Sequence, residues 1–210
     1  MSLLIKICGL KTPDMIDAAL EAGVDLIGFV HFARSPRHLD LSDIGRLIRY
    51  VDGRAETVIL TVNPDEDLLD HLLALDPDYI QLHGQETVER VAHIKERGVK
   101  VIKALAIGDQ EDLAKVPRYA DKADLLILDA KAPENAAHPG GNGEVFDWTL
   151  LKALDPDIKF MLSGGLTIDN VEQAIRDVQP FGLDLSSGVE VRKGEKDAGL
   201  IKEFMRRARA

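Results

Sequence analysis

A single cysteine, Cys8, stands in the run Lys6-Ile7-Cys8-Gly9-Leu10. A neighbouring cation would favour thiolate over thiol and lower its pKa. Lys6 lies two residues away, on the same face of an extended strand. A lone cysteine is more often a small buried apolar group, so the thiol gains meaning only if the strand end delivers it to a site. Asp129 closes the apolar run Leu125-Leu126-Ile127-Leu128-Asp129. Burying a carboxyl group there is costly unless it is paired or used. Gln81 and His83 share one face of Tyr79-Ile80-Gln81-Leu82-His83, Lys103 interrupts Val101-Ile102-Lys103-Ala104, and Asp184 sits between Leu183 and Leu185. Arg37, in Ser35-Pro36-Arg37, could grip a carboxylate with two parallel bonds, although a lone loop arginine is usually solvated.

Two glycine-bearing runs point to phosphate. Ser163-Gly164-Gly165-Leu166-Thr167 and Asp184-Leu185-Ser186-Ser187-Gly188-Val189-Glu190 each follow a strand pattern. Glycine lets backbone N–H groups approach an oxyanion closely, and a following helix N-terminus adds a favourable dipole. Either run alone could be only a turn. As a pair, Gly164, Gly165, Ser186, Ser187 and Gly188 form the expected phosphate cradle.

These groups need a scaffold that gathers strand ends. Strand patterns fall at 3–8, 26–32, 57–62, 79–83, 99–106, 125–129, 159–162 and 182–185, with amphipathic helical patterns such as 13–22, 42–51, 67–75, 87–97 and 168–178 between them. Eight strand-then-helix units predict an α/β fold, a parallel eight-stranded (β/α)8 TIM barrel. The rival is an open doubly wound sheet, whose polar ends would collect near one switch point. Recurrence of polar groups at many strand ends favours the closed barrel. Both faces of a parallel strand are covered, so the polar alternation is expected to face the barrel interior. Thr12-Pro13 reads as a helix start, and Gly23 and Gly98 as helix ends. No linker divides the chain, so residues 1–210 are expected to form one domain. The irregular stretch 131–144 has the length of a functional loop.

Composition limits the partners. The net charge of -10 disfavours nucleic acid and anionic membrane, so an anionic substrate needs a local positive site. One cysteine precludes an internal disulfide, and no leader or long apolar run is visible, so a cytoplasmic protein is expected. His31, His83 and His138 show no metal-ligand spacing, and no metal is expected. The absence of nucleotide fingerprints and of a basic-aromatic stripe leads to an expectation of no cofactor and no nucleic acid. The partner expected is a small phosphorylated molecule, with monomer and homodimer both open.

The blocks already quoted, together with Gln81-Leu82-His83-Gly84 and Phe146-Asp147-Trp148, resemble the phosphoribosylanthranilate isomerase family, in that family's order and over essentially the whole chain. The resemblance implies a cofactor-free Amadori rearrangement of N-(5-phosphoribosyl)anthranilate to 1-(2-carboxyphenylamino)-1-deoxyribulose 5-phosphate, in tryptophan biosynthesis. It implies Cys8 as general base, Asp129 as general acid, Arg37 as the grip on the anthranilate carboxylate and Asp184 as partner of the substrate amine. Lys6, Gln81 and His83 are further candidates for substrate contact, and Lys6 or a loop dipole is expected to help ionise the thiol. Acid and base must be tuned in opposite directions within one mouth. The chain departs from the family at His31, where aromatic or apolar residues are common, and at Gly140-Gly141-Asn142-Gly143, where Gly-Gly-Thr-Gly is common. Alternatives are another phosphosugar barrel and a non-catalytic phosphate-binding barrel. The first could be an epimerase or an indole-glycerol-phosphate synthase using Lys103.

Overall fold

Eight parallel strands pair in sequence order and close on themselves. They are β1 (Leu4–Cys8), β2 (Leu26–Val30), β3 (Glu56–Thr61), β4 (Tyr79–Leu82), β5 (Lys100–Ile107), β6 (Leu125–Ala130), β7 (Phe160–Leu162) and β8 (Gly182–Leu185). The closing pair is β8 with β1, in a register that sets Lys6 beside Asp184. The computed structural model describes residues 3–131, 140 and 146–210. The fold is the (β/α)8 barrel, without the free edges of the open-sheet rival.

The crossovers are α1 (Pro13–Glu21), α2 (Leu41–Val51), α3 (Glu66–Leu73), α4 (Val88–Glu96), α5 (Gln110–Leu113), α6 (Pro117–Ala120), α7 (Val171–Val178) and α8 (Ala198–Ala208). Thr12 caps α1 by accepting from the Met15 amide, with Pro13 in the first turn. Asp65, Thr87 and Asp197 cap α3, α4 and α8 in the same way. A full helix does not follow every strand. Between β5 and β6 the crossover is split into α5 and α6, each of four residues, because Pro117 cannot continue a helix begun at Gln110. After β6 a 3-10 helix, Trp148–Ala153, ends at Leu154, whose backbone is extended.

Alternation along the strands divides the core into two. Outward residues such as Ile5, Ile27, Phe29 and Ile80 pack against helix residues including Ile16, Leu47, Val91 and Phe204. Each such aliphatic side chain, fully buried, contributes about 1.5–3 kcal/mol. Inward residues Leu26, Val58, Tyr79, Ile102, Ala104, Ile127 and Met161 fill the interior as a separate apolar layer. Toward the strand C-termini the interior becomes polar, with Lys6, Gln81, Asp129 and Asp184 all buried.

Lys103 corrects one expectation. Ile102 and Ala104 belong to the interior layer, so Lys103 must point outward with Val101. Its Nζ donates to Leu82 O (3.2 Å), Gly84 O (2.8 Å) and Glu86 Oε2 (2.7 Å). Alternation revealed a polar face here but could not say which face was inside.

Beyond β8 a 3-10 turn, Ser187–Val189, leads into an antiparallel hairpin of β9 (Glu190–Arg192) and β10 (Glu195–Lys196). Sequence reading did not anticipate this hairpin. Among the described residues no helix is long and apolar enough to cross a membrane.

Candidate active site

A solvent-open cavity of about 650 Å³ lies at the C-terminal mouth of the barrel. Cys8 from β1, Asp129 from β6 and Asp184 from β8 reach it, as do Arg37 from the loop after β2 and His83 after β4. The loops after β7 and β8 contribute Ser163, Gly164, Gly165, Ser186 and Ser187. An apolar wall, Val30, Phe32, Leu60 and Val62, faces the same space. Strands converge only at barrel ends, so residues separated by more than a hundred positions share one cavity.

Lys6, Gln81 and Gly188 are not in its lining. Lys6 is fully buried and spends its charge on Asp184, Nζ to Oδ1 at 2.7 Å. Gln81 is also fully buried; its Nε2 lies 3.4 Å from His83 Nδ1, and its Oε1 has no partner. Each touches a neighbour that does line the cavity, Lys6 at Asp184 and Gln81 at His83. Gly188 is needed for packing: a Cβ there would fall 1.8 Å from Leu166 O. It locks the loop after β8 against the loop after β7.

Gly164 illustrates why the phosphate-type loop must be glycine. Its φ of +89° is poorly available to other residues, and an added Cβ would lie 2.6 Å from Ala130 N. The turn therefore presses against the end of β6, next to Asp129. Asp129 Oδ2 lies 3.2 Å from His83 Nε2. With Gln81 Nε2 donating to Nδ1, His83 carries its proton on Nε2 and donates to Asp129. Gly140 covers this pair, for a Cβ there would lie 2.5 Å from Asp129 Oδ2 and 2.7 Å from His83 Nε2.

The charges around Cys8 oppose one another. Burial pushes the thiol above its ordinary range, and the Asp184 carboxylate adds to this, while Lys6, Lys196 and Arg37 pull it down. Lys6 does pull the thiol toward ionisation, as expected, but burial outweighs that pull and Cys8 stays above its ordinary range, so it rests as the thiol. Burial works against the charge of Lys6, but the Asp184 carboxylate 2.7 Å away outweighs that cost and the lysine stays charged. Burial raises Asp184, and Asp129 reinforces that rise against the pull of Lys6.

Arg37 is at the mouth as expected, yet it is no solitary guanidinium. Its Nε and Nη2 donate to the two oxygens of Glu190 at 2.7 and 2.8 Å. Glu190 also accepts from Lys196 Nζ at 2.7 Å and from the Gly194 amide at 3.1 Å. These contacts hold Glu190 down at about 2, against the cost of its burial. Sequence reading missed Lys196 as a site residue and gave Glu190 no role.

His31 does not line the cavity; its Nδ1 lies 3.0 Å from Leu39 O and its ring packs beside His38. Its departure from the family pattern leaves the apolar wall untouched. Gly141, Asn142, Gly143 and His138, and most of the stretch 131–144, lie outside the described residues. Among the described residues no group of three or more His, Cys, Asp or Glu side chains is arranged to hold a metal ion. Lys103 is absent from the cavity lining and occupied elsewhere, which removes the lysine acid that a synthase-like reading requires.

Comparison with known proteins agrees over nearly the whole chain. Residues 5–207 match the family described as N-(5'-phosphoribosyl)anthranilate (PRA) isomerase. The N-(5'-phosphoribosyl)anthranilate isomerase of Nitrobacter winogradskyi is 51% identical, the match covering 100% of this chain and 94% of the relative. The crystal structure of phosphoribosyl anthranilate isomerase from Thermotoga maritima superposes with a TM-score of 0.88 at 36% identity, covering 98% of each chain. A phosphoribosyl anthranilate isomerase solved in complex with reduced 1-(o-carboxyphenylamino)-1-deoxyribulose 5-phosphate gives a TM-score of 0.83 at 31% identity, with 98% of each chain covered.

Proposed function

The chain belongs to the N-(5'-phosphoribosyl)anthranilate isomerase family, an isomerase of tryptophan biosynthesis, and we propose that Cys8 and Asp129 perform its acid–base chemistry. The reaction converts N-(5-phosphoribosyl)anthranilate to 1-(2-carboxyphenylamino)-1-deoxyribulose 5-phosphate. The observation that carries the assignment is the shared cavity: thiol and carboxyl group reach it from β1 and β6, between the glycine loops and Arg37.

Asp129 delivers a proton to the furanose ring oxygen as the C1′–O bond breaks. The amine lone pair completes a C=N bond, leaving an iminium cation. That cation acidifies the C2′–H, and Cys8 takes the proton to give an enolamine, which becomes the ketose on tautomerisation. Cys8 accepts this proton as thiolate, having first given its own to solvent through the open mouth of the cavity. Positive charge arising on the substrate beside Cys8 favours that ionisation. Asp184 accepts from the substrate amine, and Lys6 fixes its orientation. His83 donates to the Asp129 carboxylate once the proton has left.

Substrate shape fits the same division of the cavity. The phosphate meets the amides and hydroxyls of Gly164, Gly165, Ser186 and Ser187, and the anthranilate ring lies on Val30, Phe32, Leu60 and Val62. Arg37 faces its carboxylate. The test is turnover of freshly prepared N-(5-phosphoribosyl)anthranilate, followed by loss of substrate fluorescence with and without EDTA. Turnover unchanged by the chelator is expected; no turnover, or turnover abolished by EDTA, would overturn the reading.

A further inference from the structure

Lys103 and Glu86 form an ion pair at 2.7 Å on the outer side of the barrel wall, and neither lines the cavity. Both are buried, in a layer built mainly of aliphatic side chains such as Leu82, Val101 and Leu128. Burial pulls the lysine below its ordinary range, and Glu86 offsets this only in part. For packing alone an apolar pair would serve as well.

What the ion pair adds is direction. In the register of β4 with β5, Lys103 stands beside Leu82. Its three ammonium hydrogens go to Leu82 O, Gly84 O and Glu86 Oε2. The Glu86 carboxylate returns to the same loop, accepting from the Gly84 amide at 3.0 and 3.1 Å and from the Asn63 amide at 2.7 Å. Tyr119 on α6 holds the Glu86 backbone, its hydroxyl donating to Glu86 O at 3.0 Å. The chain is thus tied immediately before and immediately after His83, whose own amide donates to Thr61 O at 3.0 Å. Gly84 leaves no slack, for a Cβ there would fall 2.4 Å from Asn63 Oδ1 and 2.7 Å from Glu86 Oε1.

An imidazole is carried by its backbone, so these ties decide where His83 Nε2 lies. It lies 3.2 Å from Asp129 Oδ2, at the outer end of the usual hydrogen-bond range. A small further shift of the loop would break that contact. We propose that Lys103 is a positioning residue for the acid step: with Glu86 it fixes the backbone on both sides of His83 and so holds the imidazole against Asp129. This rests on the reading of His83 given above, as the donor to the Asp129 carboxylate, and extends it to a lysine that never touches the substrate.

Single-turnover rates on N-(5-phosphoribosyl)anthranilate test it with and without His83. The variant is Lys103→Met/Glu86→Gln, which strands no buried charge and is expected to fold. Glu86→Gln keeps an oxygen for the Asn63 and Gly84 amides, so the loss is confined to the ties that the lysine makes. The chemical rate should fall roughly five- to fiftyfold, within what a displaced group near the reacting atoms can cost. Affinity for the reduced product analogue should stay within about threefold of the parent, because the cavity lining is untouched. His83→Ala should slow the parent at least as much, since a positioning residue adds no more than the group it positions. Placed in His83→Ala, the same two substitutions should change the rate by less than about twofold.

An unchanged rate, an equal loss with and without His83, or analogue affinity falling in step with the rate would each overturn the proposal. A His83→Ala protein as fast as the parent would instead overturn the His83 reading, and this inference with it. Should Lys103→Met/Glu86→Gln fail to fold, Lys103→Gln/Glu86→Gln, which keeps a neutral donor in the same place, goes through the same comparison. Its rate loss should again require His83, and a loss independent of His83 would sink the proposal.

Discussion

Lys6 and Asp184 meet at 2.7 Å behind the cavity wall, and of the two only Asp184 reaches the cavity. Removing one partner of a buried ion pair leaves the other charged and unsatisfied, at a cost of about 3–5 kcal/mol. Lys6→Met and Asp184→Asn should each lower the urea midpoint, and the double variant should be less destabilised than the sum of the two. A double variant equal to that sum would mean that the pair is not coupled.

Cys8 is 5% exposed and its thiol is raised by burial. Alkylation by iodoacetamide in the unliganded enzyme should be slow at neutral pH. Its rate should still be climbing above pH 9, beyond the range of an ordinary thiol near 8.5. A rate profile with its midpoint below 7 would contradict the protonated resting state.

Gly28 faces Cys8 from the adjoining strand, and a Cβ there would lie 3.0 Å from Cys8 Cα and 3.1 Å from Sγ. Gly28→Ala should displace the thiol by a few tenths of an ångström. We expect kcat to fall at least about tenfold, since reacting groups tolerate little misplacement, with KM changed less. Unaltered kcat in a folded Gly28→Ala protein would remove Cys8 from the reaction coordinate.

Glu190 is held at about 2 in the folded protein against an ordinary value near 4.5. A depressed carboxylate contributes stability that is complete above the unfolded value and lost as pH falls through the folded one. The stability difference between the parent and Glu190→Gln should therefore shrink from pH 5 toward pH 2, by on the order of 3 kcal/mol in total. A difference independent of pH across this window would show that Glu190 is not tied to Arg37 and Lys196.

Much of the site was legible because a barrel turns a one-dimensional pattern into a convergent one. Cys8, Asp129 and Asp184 end or interrupt apolar strands, and alternation placed each on one face. The same rule misplaced Lys103, since period two says that two faces differ without saying which is inside; Ile102 and Ala104, small and apolar, took the interior. Depth was also invisible. Lys6 and Gln81 share the inner face with Cys8 and His83 but sit one residue pair lower, below the cavity. The Lys196–Glu190–Arg37 cluster depended on a hairpin set against the loop after β2, a contact spanning 153 positions between Glu190 and Arg37. Only Gly194, at the hairpin turn with φ +81°, left a trace of it in the sequence.

The most direct test is single-turnover kinetics of Cys8→Ser and Asp129→Asn on N-(5-phosphoribosyl)anthranilate, with affinity for the reduced product analogue measured in parallel. Each substitution should lower the chemical rate by about a hundred- to ten-thousandfold, the usual contribution of a positioned acid or base. Analogue affinity should stay within a few times that of the parent. Near-normal rates in both variants would contradict the assignment of base and acid to this thiol and this carboxyl group.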